Sequence, residues 1–483
     1  MHLRLVVLYL AAFLSFSQGA RASGFSILEL GGRGSGMGGA FTAIADDGSA
    51  LFYNPAGIGF QKGLRIEMDG FLVKGDYHFF PSATPPGTIV PKAGYSGTVS
   101  PTIQVLANMY MSKDLPGKKW TLGFGLYAPF GLGDNWTDFK DSQPANEKFV
   151  GRFAGTRGLL QNIWAQPTLA YRPTPNMSVA IGPAIVYTHL LLEESILNPR
   201  VDGVVFGTQL ASLILPGQDP TLAAQSLGRL LPEGRARFAG TAFAPGMTAG
   251  YLYKHRRSKT NFGASWRSAV TYHVSGKASF AFTSPFPLQT FFTALNAPTF
   301  SSLFPNQDIK ASFTTPNTLN LGIANSAFKQ TTFSFDFIFQ NYRRFKQIPL
   351  NFSQIQGTAT PAELVFPFNF HDTYFLRAGV ERHVTRNTIV RAGYYYDHAA
   401  APDATVGPFF PDNSKSVLTL GASRQMGNKE VTFFYQGAFQ QDRVVNVAAN
   451  NNQFTNGTYK VFINLVGFSL RLNKGGTTIE TNQ

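Results

Sequence analysis

Phe333, Phe335, Phe337 and Phe339 alternate with Ser334, Asp336, Ile338 and Gln340. The same period of two returns at Val431, Phe433, Tyr435 and Phe439 against Thr432, Gln436 and Gln440. It returns again at Val390, Ala392, Tyr394 and Tyr396 against Arg391, Gly393 and Asp397. Successive side chains of a strand point to opposite faces, so each segment carries one apolar face and one mostly polar face. A soluble sandwich satisfies that pattern as well as a barrel in a membrane does. The N-terminus and the composition separate the two.

Met1 and Arg4 supply positive charge, Leu5 to Phe16 is an apolar run, and Ala20-Arg21-Ala22 is a small-x-small cleavage site. Residues 1–22 therefore read as a secretory signal, with maturation at Ser23. No later window holds the roughly 18 uninterrupted apolar residues of a spanning helix. An exported chain of this kind is either a soluble periplasmic or secreted protein or an outer-membrane barrel. Charged residues make up only 14% and aromatics also 14%, with 45 Phe and 48 Gly. A soluble surface needs more charge, whereas a barrel turns an apolar band and aromatic girdles toward lipid. Backbone groups facing hydrocarbon must be paired within the protein, and closing a sheet on itself pairs them.

The expected fold is all-β: a 14-stranded antiparallel transmembrane β-barrel. Its strands are expected near 64–79, 100–113, 118–134, 157–172, 177–192, 243–254, 260–281, 310–325, 331–346, 372–384, 388–399, 415–426, 430–445 and 459–472. Short connections such as Lys113–Gly117 and Thr385–Asn387 alternate with long ones at 135–156, 193–242, 282–309 and 347–371, as periplasmic turns alternate with outer loops. Residues 23–63 are Gly-rich and irregular, and either hang free or fold into the lumen. Residues 473–483 form a polar tail.

The 193–242 loop reads as a helical hairpin. Phe206, Leu210, Leu213 and Ile214 make one apolar stripe, and Ala223, Leu227, Leu230 and Leu231 make another after Asp219-Pro220. The two stripes either pack on each other or form a hydrophobic landing groove. Apolar patches on an outer surface mark binding sites.

Several residues are similar to those of the long-chain fatty-acid transporter (FadL/TodX-like) family of outer-membrane proteins. They are Ser23-Gly24-Phe25, Ala45-Asp46-Asp47, Asn54-Pro55-Ala56-Gly57, Ala128-Pro129-Phe130-Gly131-Leu132, Gly151-Arg152-Phe153, Arg391-Ala392-Gly393-Tyr394 and Pro411-Asp412-Asn413, in that order. The resemblance implies a barrel holding a small N-terminal hatch at 23–63, in which Asn54, Pro55 and Ala56 lie. It also implies passive uptake of hydrophobic small molecules across a Gram-negative outer membrane, by a monomer without cofactor or metal. Cargo would be caught in the apolar groove of the hairpin and pass to a deeper site at Phe25, Ile27 and Leu28. It would leave sideways at a kink formed by Ala128, Pro129, Phe130 and Gly131. Proline lacks an N–H and breaks a ladder, which gives that kink a physical basis. The cargo would be long-chain fatty acids or hydrocarbons; Glu193 or Glu194 falls where fatty-acid transporters place a cation, which tilts the choice toward neutral hydrocarbons, monoaromatic ones included, or mixed hydrophobic cargo.

Other readings fare worse. The net charge of +14 is scattered, and an exported chain is wrongly placed for nucleic acid. Arg343, Arg344 and Lys346 suit lipopolysaccharide phosphates at an outer-membrane rim. A lipid-modifying enzyme needs a Ser–His pair on the lipid face, and no His stands beside an evident nucleophile. Gly34-Ser35-Gly36-Met37-Gly38-Gly39 satisfies a dinucleotide pattern without its strand and helix, and reads as flexible hatch backbone.

Overall fold

A computed structural model describes residues 24–82, 97–98, 104–117, 119–136, 149–196, 234–282, 299–446 and 455–474. Among them fourteen antiparallel strands cross in sequence order: β1 Leu64–Pro81, β2 Gln104–Asp114, β3 Trp120–Asn135, β4 Arg157–Thr174, β5 Met177–Ile196, β6 Gly234–His255, and β7 as Thr260–Arg267 with Val270–Phe282. There follow β8 as Gln307–Thr315 with Thr318–Asn325, β9 Thr331–Gln340, β10 Thr373–His383, β11 Thr388–Asp397, β12 Lys415–Met426, β13 Lys429–Gln440 and β14 Gly457–Lys474. β1 pairs with β14 from Leu64–Lys474 to Pro81–Gly457, which closes the barrel.

The alternation in sequence is an inside-out core. Phe333 and Phe335 face outward and exposed, while Ser334, Asp336 and Gln340 are buried on the lumen side. Likewise Leu418, Leu420 and Phe433 point out, and Thr419, Ser423, Thr432 and Gln436 point in. This suits lipid outside and a polar, packed interior.

Several boundaries differ from the sequence reading. The expected 193–242 loop yields 193–196 to β5 and 234–242 to β6; the hairpin residues Phe206 to Leu231 lie outside the described residues. The expected signal segment 1–22 and the residues beyond Lys474 also lie outside them, and Asn473 and Lys474 belong to β14 rather than to a tail. Within 347–371, Gln347–Phe352 and Glu363–Pro367 pair as a hairpin that adds to the wall beside β8. β9 stops at Gln340, where Tyr342–Arg344 turns as a 3-10 helix instead of continuing to 346. β8 breaks at Pro316, whose missing N–H interrupts the ladder, and β7 breaks beside it at Ser268-Ala269.

Residues 24–61 are mostly buried and hydrogen-bond to inward-facing barrel groups rather than hanging free. The glycine run is not loose. Gly32–Gly36 is a short helix, and a Cβ at Gly36 would stand 3.1 Å from the Gly421 backbone. Gly38 and Gly39 adopt φ of 66° and 74°, a conformation that glycine takes at little cost.

Candidate functional site

Three features meet on β3. First, its ladder with β4 slips between Tyr127–Trp164 and Phe130–Asn162, so Ala128 and Pro129 form a bulge. Second, β2 pairs with β3 only from Met109–Leu126 to Asp114–Thr121, although β2 stays paired with β1 as far as Gln104. Above Leu126, β3 therefore has a ladder on one edge only. Third, the N-terminal segment occupies part of the other edge. Ile27 donates its N–H to the Pro129 carbonyl at 2.9 Å, and Gly131 donates to the Phe25 carbonyl at 3.0 Å. Ser26 and Phe130 form an isolated antiparallel bridge. Higher up, the Gln104 side-chain amide donates to the Gly133 carbonyl across the same seam.

Phe25 is 2% exposed and sits in a cage of rings. Its centroid lies 4.9 Å from Phe345, 5.4 Å from Tyr342, 5.8 Å from Phe410, 5.9 Å from Phe130 and 6.3 Å from Phe370. The contacts with Phe130, Tyr342 and Phe345 are edge-to-face, and such pairs each contribute about 0.5–1.5 kcal/mol beyond area burial. The tip is held further by polar contacts. Gly24 donates to Asp412 Oδ1 at 2.9 Å, and Ser26 Oγ donates to Gln340 Oε1 at 2.8 Å. Asp412 Oδ2 also accepts from the Ala400 and Ala401 amides, both at 2.8 Å. Burial pushes the Asp412 carboxyl up to about 6, against the pull of those amides and of Arg443.

Below the cage, Leu28 is buried, and beside it Glu29 pairs with Arg377 at 3.3 Å. Arg377 also meets Asp397 at 3.4 Å, and Lys415 meets the same carboxylate at 3.5 Å. Deeper still, Arg33 joins Asp46 at 2.5 Å and Glu381 at 2.9 Å, and Arg391 joins Glu381 at 2.6 Å. Asn54 caps the 3-10 turn Pro55–Phe60, accepting from Ala56 at 3.2 Å and donating to the Tyr251 and Thr42 carbonyls, both at 2.9 Å. Proline at the first helical position leaves no orphan donor there. Gly250 makes room for this turn, since its Cβ would stand 2.4 Å from Asn54 Oδ1.

The structure thus brings Phe25, Ile27 and Leu28 together with Ala128, Pro129, Phe130 and Gly131, and puts Asn54, Pro55 and Ala56 at the other end of the lumen. Where the outer hairpin stands relative to them lies outside the described residues. Sequence reading did not find Tyr342, Phe345, Phe370 or Phe410 as cage walls, because they come from two loops far apart in the chain. Phe370 is signalled only by a Phe-rich run, Phe366, Phe368 and Phe370, and Asp412 only by the Pro-Asp-Asn motif. Glu193 carries a charge already matched, by Arg237 at 3.3 Å. Among the described residues no group of three His, Asp or Glu stands ready for a metal.

A closed antiparallel barrel with a buried N-terminal segment, lipid-facing apolar residues and an aromatic cage belongs to the class of outer-membrane transport proteins. The family described as outer membrane protein transport protein (OMPP1/FadL/TodX) matches residues 13–469, and the chain belongs to it. Solved structures agree in fold. A Pseudomonas aeruginosa FadL homologue matches with a TM-score of 0.72 and 16% identity, covering 93% of this chain and 100% of its own. The P. putida toluene transporter TodX gives 0.66 and 18%, covering 95% and 100%. The Ralstonia pickettii toluene transporter TbuX gives 0.61 and 17%, covering 92% and 98%. Among curated proteins no sequence matches significantly. The protein is an outer-membrane transporter of hydrophobic compounds.

Proposed function

We propose that this protein takes up neutral hydrophobic compounds, aromatic hydrocarbons among them, by passive partition through its own wall. The observation that carries the reading is the pairing of Phe25 and Ile27 with Gly131 and Pro129 at the half-unpaired edge of β3. Cargo entering the ring cage competes with the Phe25 side chain for the same apolar surface. Once Phe25 leaves, the two backbone bonds go with it, and the seam between β2 and β3 opens on lipid. Residues 24–63 act as the hatch that keeps water and polar solutes from following, fixed by the Asn54 turn and the Arg33 ion pairs. Each buried methylene is worth about 0.8 kcal/mol, so release into bilayer is downhill where release into water is not.

Neutral cargo is favoured because Arg377, Lys415 and Arg443 are already engaged by carboxylates. Outside the barrel, exposed Arg344 and Lys346 and the Asp372-paired Arg343 offer contacts to lipopolysaccharide phosphates. The protein works as a monomer, without catalysis.

The test is uptake of naphthalene and of oleate by proteoliposomes carrying Gly131→Arg. A Cβ there already stands 2.7 Å from Ile27 Cδ1, so the arginine displaces the N-terminal strand and fills the seam. Naphthalene uptake is expected to fall several-fold while the barrel still assembles. Uptake equal to wild type rejects exit through the β2–β3 seam, and oleate faster than naphthalene rejects the neutral preference.

A further inference from the structure

The wall has a second discontinuity, which no part of the N-terminal segment fills by backbone pairing. β6 pairs with β7 from His255–Thr260 to Thr248–Arg267, and again from Thr241–Ser275 to Gly234–Phe282. Between these ladders, residues 242–247 of β6 face residues 268–274 of β7 with no ladder pair. Reciprocal bonds between Met247 and Ser268 close the lower end, leaving a slit about 20 Å tall at the rise of a strand. Pro245 stands inside it without an N–H to give. Each flank is supported from behind: 242–247 is paired with β5 throughout, and Val270–Val274 with β8.

The lumen side of the slit is lined by small residues, Ala242, Ala244 and Gly246, and is stopped by two aromatic side chains. A Cβ on Gly246 would stand 2.8 Å from the Trp164 ring, so the indole lies directly against that backbone. Tyr272 projects from β7 itself and is fully buried. One side chain ties both: Asn162 donates to the Tyr272 hydroxyl at 2.6 Å and accepts from Trp164 Nε1 at 2.9 Å. Asn162 is also the ladder partner of Phe130 at the β3 bulge. Ring contacts run unbroken inward, Tyr272 to Phe313 at 5.0 Å, Phe313 to Phe345 at 6.2 Å, and Phe345 to Phe25 at 4.9 Å. On the lipid side Phe243 is 73% exposed.

We propose that the slit between β6 and β7 is a second lateral portal for the same neutral apolar cargo, closed by Trp164 and Tyr272, with Asn162 positioning both. Backbone left without a ladder in hydrocarbon is costly, so a break in a membrane wall persists where it serves as a passage. The portal rests on the lateral reading above but not on the N-terminal segment, so cargo leaving the cage has two exits.

The chain contains no cysteine, so introduced thiols report cleanly. Ala244→Cys lines the slit; Val186→Cys is also inward and buried, on a strand paired along both edges at that level. In proteoliposomes a bilayer-dissolved N-alkyl maleimide is expected to label position 244 at least fivefold faster than 186, and Asn162→Leu is expected to widen the ratio. Equal rates overturn the portal. In transport, Gly131→Arg is expected to leave residual naphthalene uptake that Ala244→Trp removes. No residual, or a residual insensitive to Ala244→Trp, overturns its role in uptake while the β2–β3 route stands. Wild-type uptake in the double variant overturns lateral transport itself. Heat-modifiable migration confirms assembly, and the labelling ratio decides the question if Ala244→Trp does not assemble.

Discussion

Ile27 and Pro129 share a backbone hydrogen bond of 2.9 Å although 102 positions separate them, and the bond lies at the point where β3 has lost its neighbour. The N-terminal segment therefore behaves as a removable piece of strand. Replacing Ser26 and Phe130, the bridged pair, by cysteines places two thiols across a geometry in which antiparallel Cα atoms lie about 4.5–5.5 Å apart, within disulfide reach. Oxidation is expected to lower cargo uptake several-fold, with full recovery on adding dithiothreitol. Uptake indifferent to oxidant, with the disulfide verified by mass, would show that the segment need not move.

Phe25→Ala removes a ring that touches five others. Truncating a buried phenylalanine typically costs 3–5 kcal/mol. With that competitor for the cage gone, cargo is expected to bind at least tenfold more tightly, equivalent to about 1.4 kcal/mol. Tryptophan-quenching titration of purified protein with naphthalene measures this, and unchanged affinity would move the deep site elsewhere.

Asp412 gives a pH dependence. Its folded-state carboxyl is raised to about 6 by burial, above the ordinary value of 3.8. A raised pKa means the folded state holds its proton more tightly. The stabilisation is therefore complete below about pH 4 and is lost as pH climbs through about 6. The linkage amounts to at most on the order of 3 kcal/mol. Wild type is expected to lose stability between pH 4 and pH 7 by more than Asp412→Asn does, measured by denaturant midpoint in detergent. Parallel profiles would remove Asp412 as the source.

Arg33 is held between Asp46 and Glu381, with Arg391 on the far side of Glu381. Removing one member of a buried ion group costs about 3–5 kcal/mol, because its partners stay buried and uncompensated. Arg33→Ala is expected to destabilise the segment 24–63 by about that much. Limited proteolysis of the N-terminal segment reads the loss without requiring the barrel to unfold. Adding Asp46→Ala is expected to cost less than a second full step, since the cation that this carboxylate pairs with is already gone. Strict additivity would mean the pair is not coupled.

The strands were legible because a period of two survives any tertiary arrangement: Phe333 to Phe339 must present one face wherever the sheet goes. Pro129 was legible as a break for the same local reason. Pro316 carries the same signal, yet it lies inside the expected 310–325 strand, and the 234–242 start of β6 is hidden because strand alternation begins right after a helix-like stripe. The Gly34–Gly39 run reads as flexible, since composition cannot tell glycine chosen for freedom from glycine chosen for close approach to Tyr53 and Gly421.

By itself the sequence determined the wall: an alternating, charge-poor, aromatic-rich chain can satisfy its backbone in lipid only by closing on itself. The tertiary structure alone decided what fills that wall and where it parts. The cage joins Phe25 to Tyr342 and Phe410, and the stoppers join Trp164 to Gly246, across separations in sequence that no local pattern records. Strand register brings those residues to one level, and register is set by the sum of all neighbouring ladders rather than by any single segment.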